Sequence, residues 1–141
     1  MSRTYFTDRD PGKQFPAALA AAGISVEAHA THFAHDTADP DWLRDIGRRG
    51  WIAITHDRRI RYKPNELAAV KEHVVALLVT VGQCPMREHA RNFVSSIARI
   101  ERFLDAHAPP LIAKIYRASS SELDRDPARP GKSRALVPVT I

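Results

Sequence analysis

A chain of 141 residues, 44% hydrophobic and 26% charged, is long enough for one domain with a real core. It holds no apolar run of the roughly 18 residues needed to cross a bilayer, and its start lacks a signal-peptide apolar segment, so membrane and secreted classes are not expected. The lone Cys84 allows no internal disulfide and suits a reducing cytoplasm, while a net charge of +5 favours polyanions such as RNA or DNA, with acidic proteins equally compatible.

Residues 3–7 (Arg-Thr-Tyr-Phe-Thr) are aromatic and β-branched, which predicts a first strand stopping at Asp8. Arg9-Asp10-Pro11-Gly12 is turn chemistry. Phe15 to Ala22 predicts an alanine-rich helix that Gly23 would terminate. Ile24 to Ala28 alternates as a second strand. His29 to Ala38 has no clean period, carries His29, His32 and His35, and predicts a loop. At Asp39-Pro40-Asp41-Trp42-Leu43 a helix opens, with Asp39 as N-cap, Pro40 at the first position and Asp41 complementing the dipole. Leu43, Ile46 and Trp42 would form its buried stripe, with Gly47 or Gly50 as its end.

Trp51 to Thr55 predicts the third strand, Pro64 to Val70 a helix, and Val74 to Val81 a strand covered on both faces. Gly82 to Pro85 turns the chain. Met86, Ala90, Phe93, Ile97, Ile100 and Leu104 recur every three or four residues, which predicts one helix from Met86 to His107. After Pro109 and Pro110, Leu111 to Tyr116 predicts a last strand. Beyond Arg117 the composition turns to Ser, Asp, Arg, Pro and Gly, so the domain is expected to span 1–117, with 118–141 a poorly ordered tail or one ordered by a partner. Strands alternating with helices argue for an α/β three-layer sandwich with a mainly parallel central sheet.

Ligands of open parallel sheets bind beyond the carboxyl ends of strands. Asp8 ends the first strand there and Asp57 follows the third. If those strands are neighbours, the two acids share an edge, and Asp39 could join them. Converging carboxylates repel unless a cation lies between them, and an all-oxygen set suits Mg²⁺ or Mn²⁺. Such an ion lowers the pKa of bound water and stabilises charge on a phosphodiester. Downstream, Arg58, Arg59, Arg61 and Lys63 form a basic loop suited to phosphates, with Tyr62 able to stack on a base. A solvated turn is the competing interpretation of that loop. His29, His32 and His35 lack a compact metal motif, and His56 could assist a step.

Tyr5-Phe6-Thr7-Asp8-Arg9, Asp39-Pro40-Asp41-Trp42-Leu43 and Gly47 through Asp57 together resemble the PIN-like domain family, particularly compact proteins allied to VapC-type toxins. The resemblance runs over residues 3 to 80. It implies a Mg²⁺- or Mn²⁺-dependent endoribonuclease acting on RNA, often the toxin of a pair restrained by a small antitoxin protein, with a homodimer among the expected assemblies. Carried over, Asp8, Asp39 and Asp57 would be metal-site acids and Thr55 their polar neighbour. Larger members carry a further glutamate on a helix after the first strand, where Phe15 to Ala22 has no acid. Asp36, Asp41 or Asp10 would substitute, with Asp41 preferred. Two other classes remain open. A phosphoacceptor receiver domain would use Asp8, Asp57, Thr80 and Lys114, although Arg9 and the arginines after Asp57 disfavour it. A catalytically degenerate PIN-like module would only bind RNA or protein.

Overall fold

Five short apolar segments form parallel strands in the computed structural model, which describes residues 3–117 and the backbone of 136–139. They are β1 (Tyr5–Thr7), β2 (Val26–Ala28), β3 (Ile52–Thr55), β4 (Ala76–Val81) and β5 (Leu111–Tyr116). A sixth strand, β6 (Leu136–Val139), runs antiparallel to β5 and pairs Ile112 with Val139, so the sheet order is β2-β1-β3-β4-β5-β6. The sequence had suggested a sheet ending at Tyr116. It is one strand wider, and the remainder of the expected tail, 118–135 and 140–141, lies outside the described residues. The mainly parallel α/β sandwich is as the alternating pattern implied.

The helices are α1 (Gln14–Ala21), α2 (His29–His32), α3 (Asp39–Arg49), α4 (Pro64–Glu72), α5 (Met86–Ser95) and α6 (Ile97–Ala106). Strand residues alternate between two apolar layers, as the pleat requires. Tyr5, Ile52, Ile54, Ala76 and Leu78 pack with Phe15, Leu19, Phe93 and Ile100 of α1, α5 and α6. Phe6, Ala53, Leu77 and Val79 pack with Trp42, Leu43, Ile46 and Val70 of α3 and α4 on the other face. Buried apolar surface on both faces is the main term holding the sheet. Among the described residues no helix is long and apolar enough to cross a membrane.

Four local expectations change. Residues 29–38 are not all loop, because His29–His32 close a helical turn that seats His29 beneath Phe33. The long helix after Pro85 is two. Ser96 sits at φ −97°, ψ 3°, out of helical geometry, and its N–H is shared between the Asn92 and Phe93 carbonyls. Serine readily trades helical bonds for local ones, and Ser95-Ser96 is the weakest stretch of the apolar stripe. The fourth strand begins at Ala76 rather than Val74, since Val74 turns the chain at φ +57°. Asp39 is not the N-cap of α3. Ala38 holds that position, and Asp39 directs its carboxylate sideways into the site.

Gly50, not Gly47, ends α3, at φ +69°, with the Trp51 N–H returning to the Ile46 carbonyl at 3.2 Å. Gly47 serves a close approach instead, because a Cβ there would lie 2.3 Å from the His73 carbonyl oxygen. Gly47 thus lets α3 pass closely against the end of α4, and Gly50 turns the chain toward β3. The chain leaves β1 for β2 on one side and returns to β3 on the other. The crevice between the carboxyl ends of β1 and β3 is therefore the topological switch point, where open α/β sheets hold ligands.

Candidate functional site

The switch-point crevice is lined by acids. Asp8 leaves β1 directly into it and is 7% exposed. Its Oδ1 accepts the Arg9 backbone N–H at 2.7 Å, and its Oδ2 accepts the Thr55 hydroxyl at 2.9 Å. Thr55 is fully buried at the end of the parallel neighbour β3, where Thr7 pairs with Ile54. Pairing between the strands fixes this contact, and the Asp8 N–H donates to the Ile54 carbonyl at 2.9 Å.

A second carboxylate comes from the turn that follows. The Gly12 N–H closes on the Arg9 carbonyl at 3.0 Å. That turn folds Asp10 back so that both its oxygens lie 3.3 Å from the Thr55 hydroxyl and 3.2 Å from the His56 backbone N–H. Thr55 has one proton to give, so two carboxylates share a single hydroxyl donor. Burial first, and the Asp10 charge second, push the Asp8 acid up to about 6 against the pull of the Arg9 N–H and Thr55. Asp10 is also raised, chiefly by burial.

Asp39 and Asp57 flank this pair, each already matched to a cation. The Arg9 guanidinium donates to Asp39 Oδ1 at 2.6 Å and to the His35 and Thr37 carbonyls, while its Nε is 3.6 Å from Asp8. The Trp42 indole N–H completes the Asp39 shell at 2.9 Å. Asp57 accepts the Lys63 ammonium at 2.7 Å and the Arg59 N–H at 3.0 Å. Partial burial opposes ionisation of Asp57, but Lys63 and Arg59 outweigh it and hold the acid below its usual range. The Asp57 N–H itself donates to Thr55 Oγ1 at 3.1 Å.

Asp8, Asp39 and Asp57 therefore surround one crevice without forming a single ligand cluster. Among the described residues no three acidic, histidine or cysteine side chains gather closely enough to hold an ion together. Asp39 and Asp57 are each engaged by a cation, Arg9 and Lys63 respectively. The acid beside Asp8 is Asp10 rather than Asp41, which is exposed on the first turn of α3, and Asp36 is exposed as well. The stretch Thr7-Asp8-Arg9-Asp10-Pro11-Gly12 carried the clue. A tight turn two residues after a strand-end acid returns a second acid to the same edge.

Of the basic loop, Arg58, Arg59 and Tyr62 are exposed, and the side chain of Arg61 lies outside the described residues. The Lys63 ammonium, partly exposed, meets Asp57 at 2.7 Å. A short 3₁₀ turn, Ile60–Tyr62, anchors the loop by burying Ile60 at 1% exposure. Across the crevice His56 Nδ1 is 2.9 Å from the Thr80 carbonyl and 3.0 Å from the Thr80 hydroxyl. Its ring lies 4.7 Å from that of His89, whose Nε2 donates to the Gly82 carbonyl at 3.0 Å. A receiver arrangement would need Thr80 and Lys114 to serve Asp57. Here Thr80 is engaged by His56, and the ammonium on Asp57 is Lys63.

A family profile described as a PIN like domain matches residues 4–81, more than half of the chain and every acid of the crevice. Neither the curated proteins nor the solved structures contain a match.

Proposed function

Because the chain belongs to the PIN-like domain family, we propose that it is a metal-dependent endoribonuclease that hydrolyses RNA phosphodiester bonds at the crevice between β1 and β3. One observation carries the proposal. Buried Asp8 and exposed Asp10 converge on the single Thr55 hydroxyl at the switch point, so two carboxylates share one donor. Mg²⁺ and Mn²⁺ favour oxygen ligands, and Mg²⁺ is held by one or two carboxylates together with waters and substrate phosphate. The donor set of Asp8 and Asp10 fits that requirement. A bound ion would supply an activated water and stabilise negative charge on the phosphodiester.

The protein's own groups have separate tasks in this scheme. Thr55 orients Asp8 through its hydroxyl, and Asp57 is kept ionised beside it by Lys63. Arg9 fixes Asp39 against Trp42 and stays near Asp8. Arg58 and Arg59, exposed next to the crevice, would attract the phosphate backbone, with Tyr62 continuing the strip. A toxin role, with a small antitoxin protein as partner, rests on the family resemblance. It is tested by co-expression with the product of the adjacent reading frame.

A second reading has its own observation. Arg9 and Lys63 already neutralise Asp39 and Asp57, which suits a degenerate PIN-like module that binds RNA or protein without cleaving it. One experiment separates the two. Labelled RNA is incubated with Mg²⁺ or Mn²⁺ and with wild-type, Asp8→Asn and Asp10→Asn proteins. Metal-dependent cleavage that both substitutions abolish supports the nuclease. Cleavage surviving both removes the assigned site, and binding without any cleavage favours the module.

A further inference from the structure

Asp10 stands on an exposed turn, so its place beside Asp8 depends on the groups it meets. The Thr55 hydroxyl is one of them, but its single proton also serves Asp8. The other is the backbone N–H of His56, 3.2 Å from both Asp10 oxygens, a donor that Asp8 does not share. Where that N–H points depends on how the chain leaves β3.

Backbone pairing of β3 with β4 stops at Thr55 and Val79. Had the ladder continued, strand alternation would have brought the Asp57 N–H to the Thr80 carbonyl. The Asp57 N–H turns back to Thr55 Oγ1 at 3.1 Å instead. The His56 ring takes the carbonyl in its place, with Nδ1 2.9 Å from the Thr80 carbonyl oxygen and 3.0 Å from the Thr80 hydroxyl. A carbonyl only accepts, so Nδ1 carries the proton. A side chain thus supplies the last rung of the ladder and ties down the residue whose N–H meets Asp10.

His89 meets that ring from α5. It is 2% exposed, its ring centroid lies 4.7 Å from that of His56, and the two planes are inclined by 55°. Its own ring is fixed by the bond from Nε2 to the Gly82 carbonyl. All four crevice acids come from the chain up to Asp57, and His89 adds a contact from the helix after β4.

We propose that His56 and His89 are positioning residues for Asp10: with Thr80 they fix the His56 peptide so that its N–H holds the Asp10 carboxylate beside Asp8. The proposal rests on the nuclease reading only for the divalent cation that the two acids would share. The placement of Asp10 itself is a property of the metal-free protein.

The test is hydrogen exchange of the residue 56 amide in metal-free protein, followed by NMR. The Ile52 amide, bonded to the Thr4 carbonyl at the other end of β3, is the reference for overall stability. Asp10→Ala is expected to lower protection at residue 56 by about tenfold, the scale of one lost hydrogen bond. His56→Leu and His89→Ala are expected to act in the same direction with Ile52 unchanged. His56→Asn is expected to restore protection, because its side-chain amide nitrogen stands as many bonds from the backbone as Nδ1 and can donate to Thr80. His56 is only partly buried, so His56→Leu and His56→Asn carry the test if His89→Ala fails to fold.

Mn²⁺ titration of the same proteins by electron paramagnetic resonance gives the second measurement. Affinity is expected to fall about tenfold in His56→Leu and His89→Ala and to recover in His56→Asn. Rings that merely fill space would lower the melting temperature and leave protection at residue 56 at the wild-type level. That result, or a failure of His56→Asn to restore protection, would overturn the proposal. Mn²⁺-dependent cleavage that needs Asp8, with protection at residue 56 unmoved by the variants, rejects the positioning alone. The expected exchange pattern in a protein that binds no Mn²⁺ supports the positioning and rejects the nuclease alone.

Discussion

The Thr55 hydroxyl lies 2.9 Å from Asp8 Oδ2 and joins the ends of two neighbouring parallel strands through a buried acid. It also faces both oxygens of Asp10 at 3.3 Å, so its single proton serves two negative charges. The Asp57 N–H closes the set by donating to the same oxygen. One side chain of β3 therefore ties together three of the four crevice acids.

Replacing Thr55 with Val keeps the shape and removes that hydroxyl. The variant should lose about 1–3 kcal/mol of stability at pH 7, because Asp8 and the Asp57 N–H both lose a buried partner. The Asp8 carboxyl should titrate above its present value near 6. Carbon-detected NMR titration measures the second effect, and a downward shift would contradict the assigned hydrogen bond.

Asp8 also gives the apoprotein a signed pH dependence. Its acid rises from 3.8 in the unfolded chain to about 6 in the fold, so between these values the native state binds more protons. Its contribution to stability is present below pH 4 and declines as pH rises through 6. By linkage the loss is about 2–3 kcal/mol. Urea unfolding of Asp8→Asn beside the wild type should show a variant that is more stable at pH 7 and gains nothing at pH 4. An equal difference at both pH values would mean that Asp8 is not raised.

Lys63 and the arginines of the same loop should behave differently toward RNA. Arg58→Ala and Arg59→Ala should each weaken binding and reduce the salt slope by about 1. Lys63→Met should leave the slope nearly unchanged, because its ammonium is already given to Asp57 at 2.7 Å, and should raise the Asp57 acid instead. Fluorescence anisotropy across a salt series distinguishes them. A full unit of slope lost with Lys63 would show that it reaches the phosphate.

Gly47 and Val74 predict opposite effects on stability at the far end of the sheet. Gly47→Ala forces a Cβ to within 2.3 Å of the His73 backbone oxygen and should cost about 1–3 kcal/mol, as overpacking does. Val74 holds a left-handed φ of +57° at 51% exposure, so Val74→Gly should relieve about 1–2 kcal/mol of strain and lose little burial. Thermal melts decide both, and a stabilising Gly47→Ala or a destabilising Val74→Gly would contradict the packing described.

Most of the architecture was legible in local patterns. Tyr5 to Thr7, Ile52 to Thr55 and Ala76 to Val81 are apolar runs bounded by turn residues, and Pro40 and Pro64 mark helix starts at the first turn. Periodicity failed where tertiary packing decides. The stripe from Met86 to Leu104 passes through the break at Ser96, because both helices bury the same face against the sheet. β6 exists through its pairing with β5, and such pairing leaves no local period to read.

The sequence by itself determined the strand-end acids Asp8 and Asp57, the helix that delivers Asp39 and the family to which these segments belong, since each depends on neighbours within a few positions. Only the tertiary structure decided which charges meet. It set Asp10 rather than Asp41 beside Asp8, turned Lys63 onto Asp57 and stretched Arg9 to Asp39. It also brought the His56 and His89 rings to 4.7 Å. Coulomb and hydrogen-bond energies depend on distances of a few ångströms, and the turns after β1 and β3 set those distances together with the order of the strands.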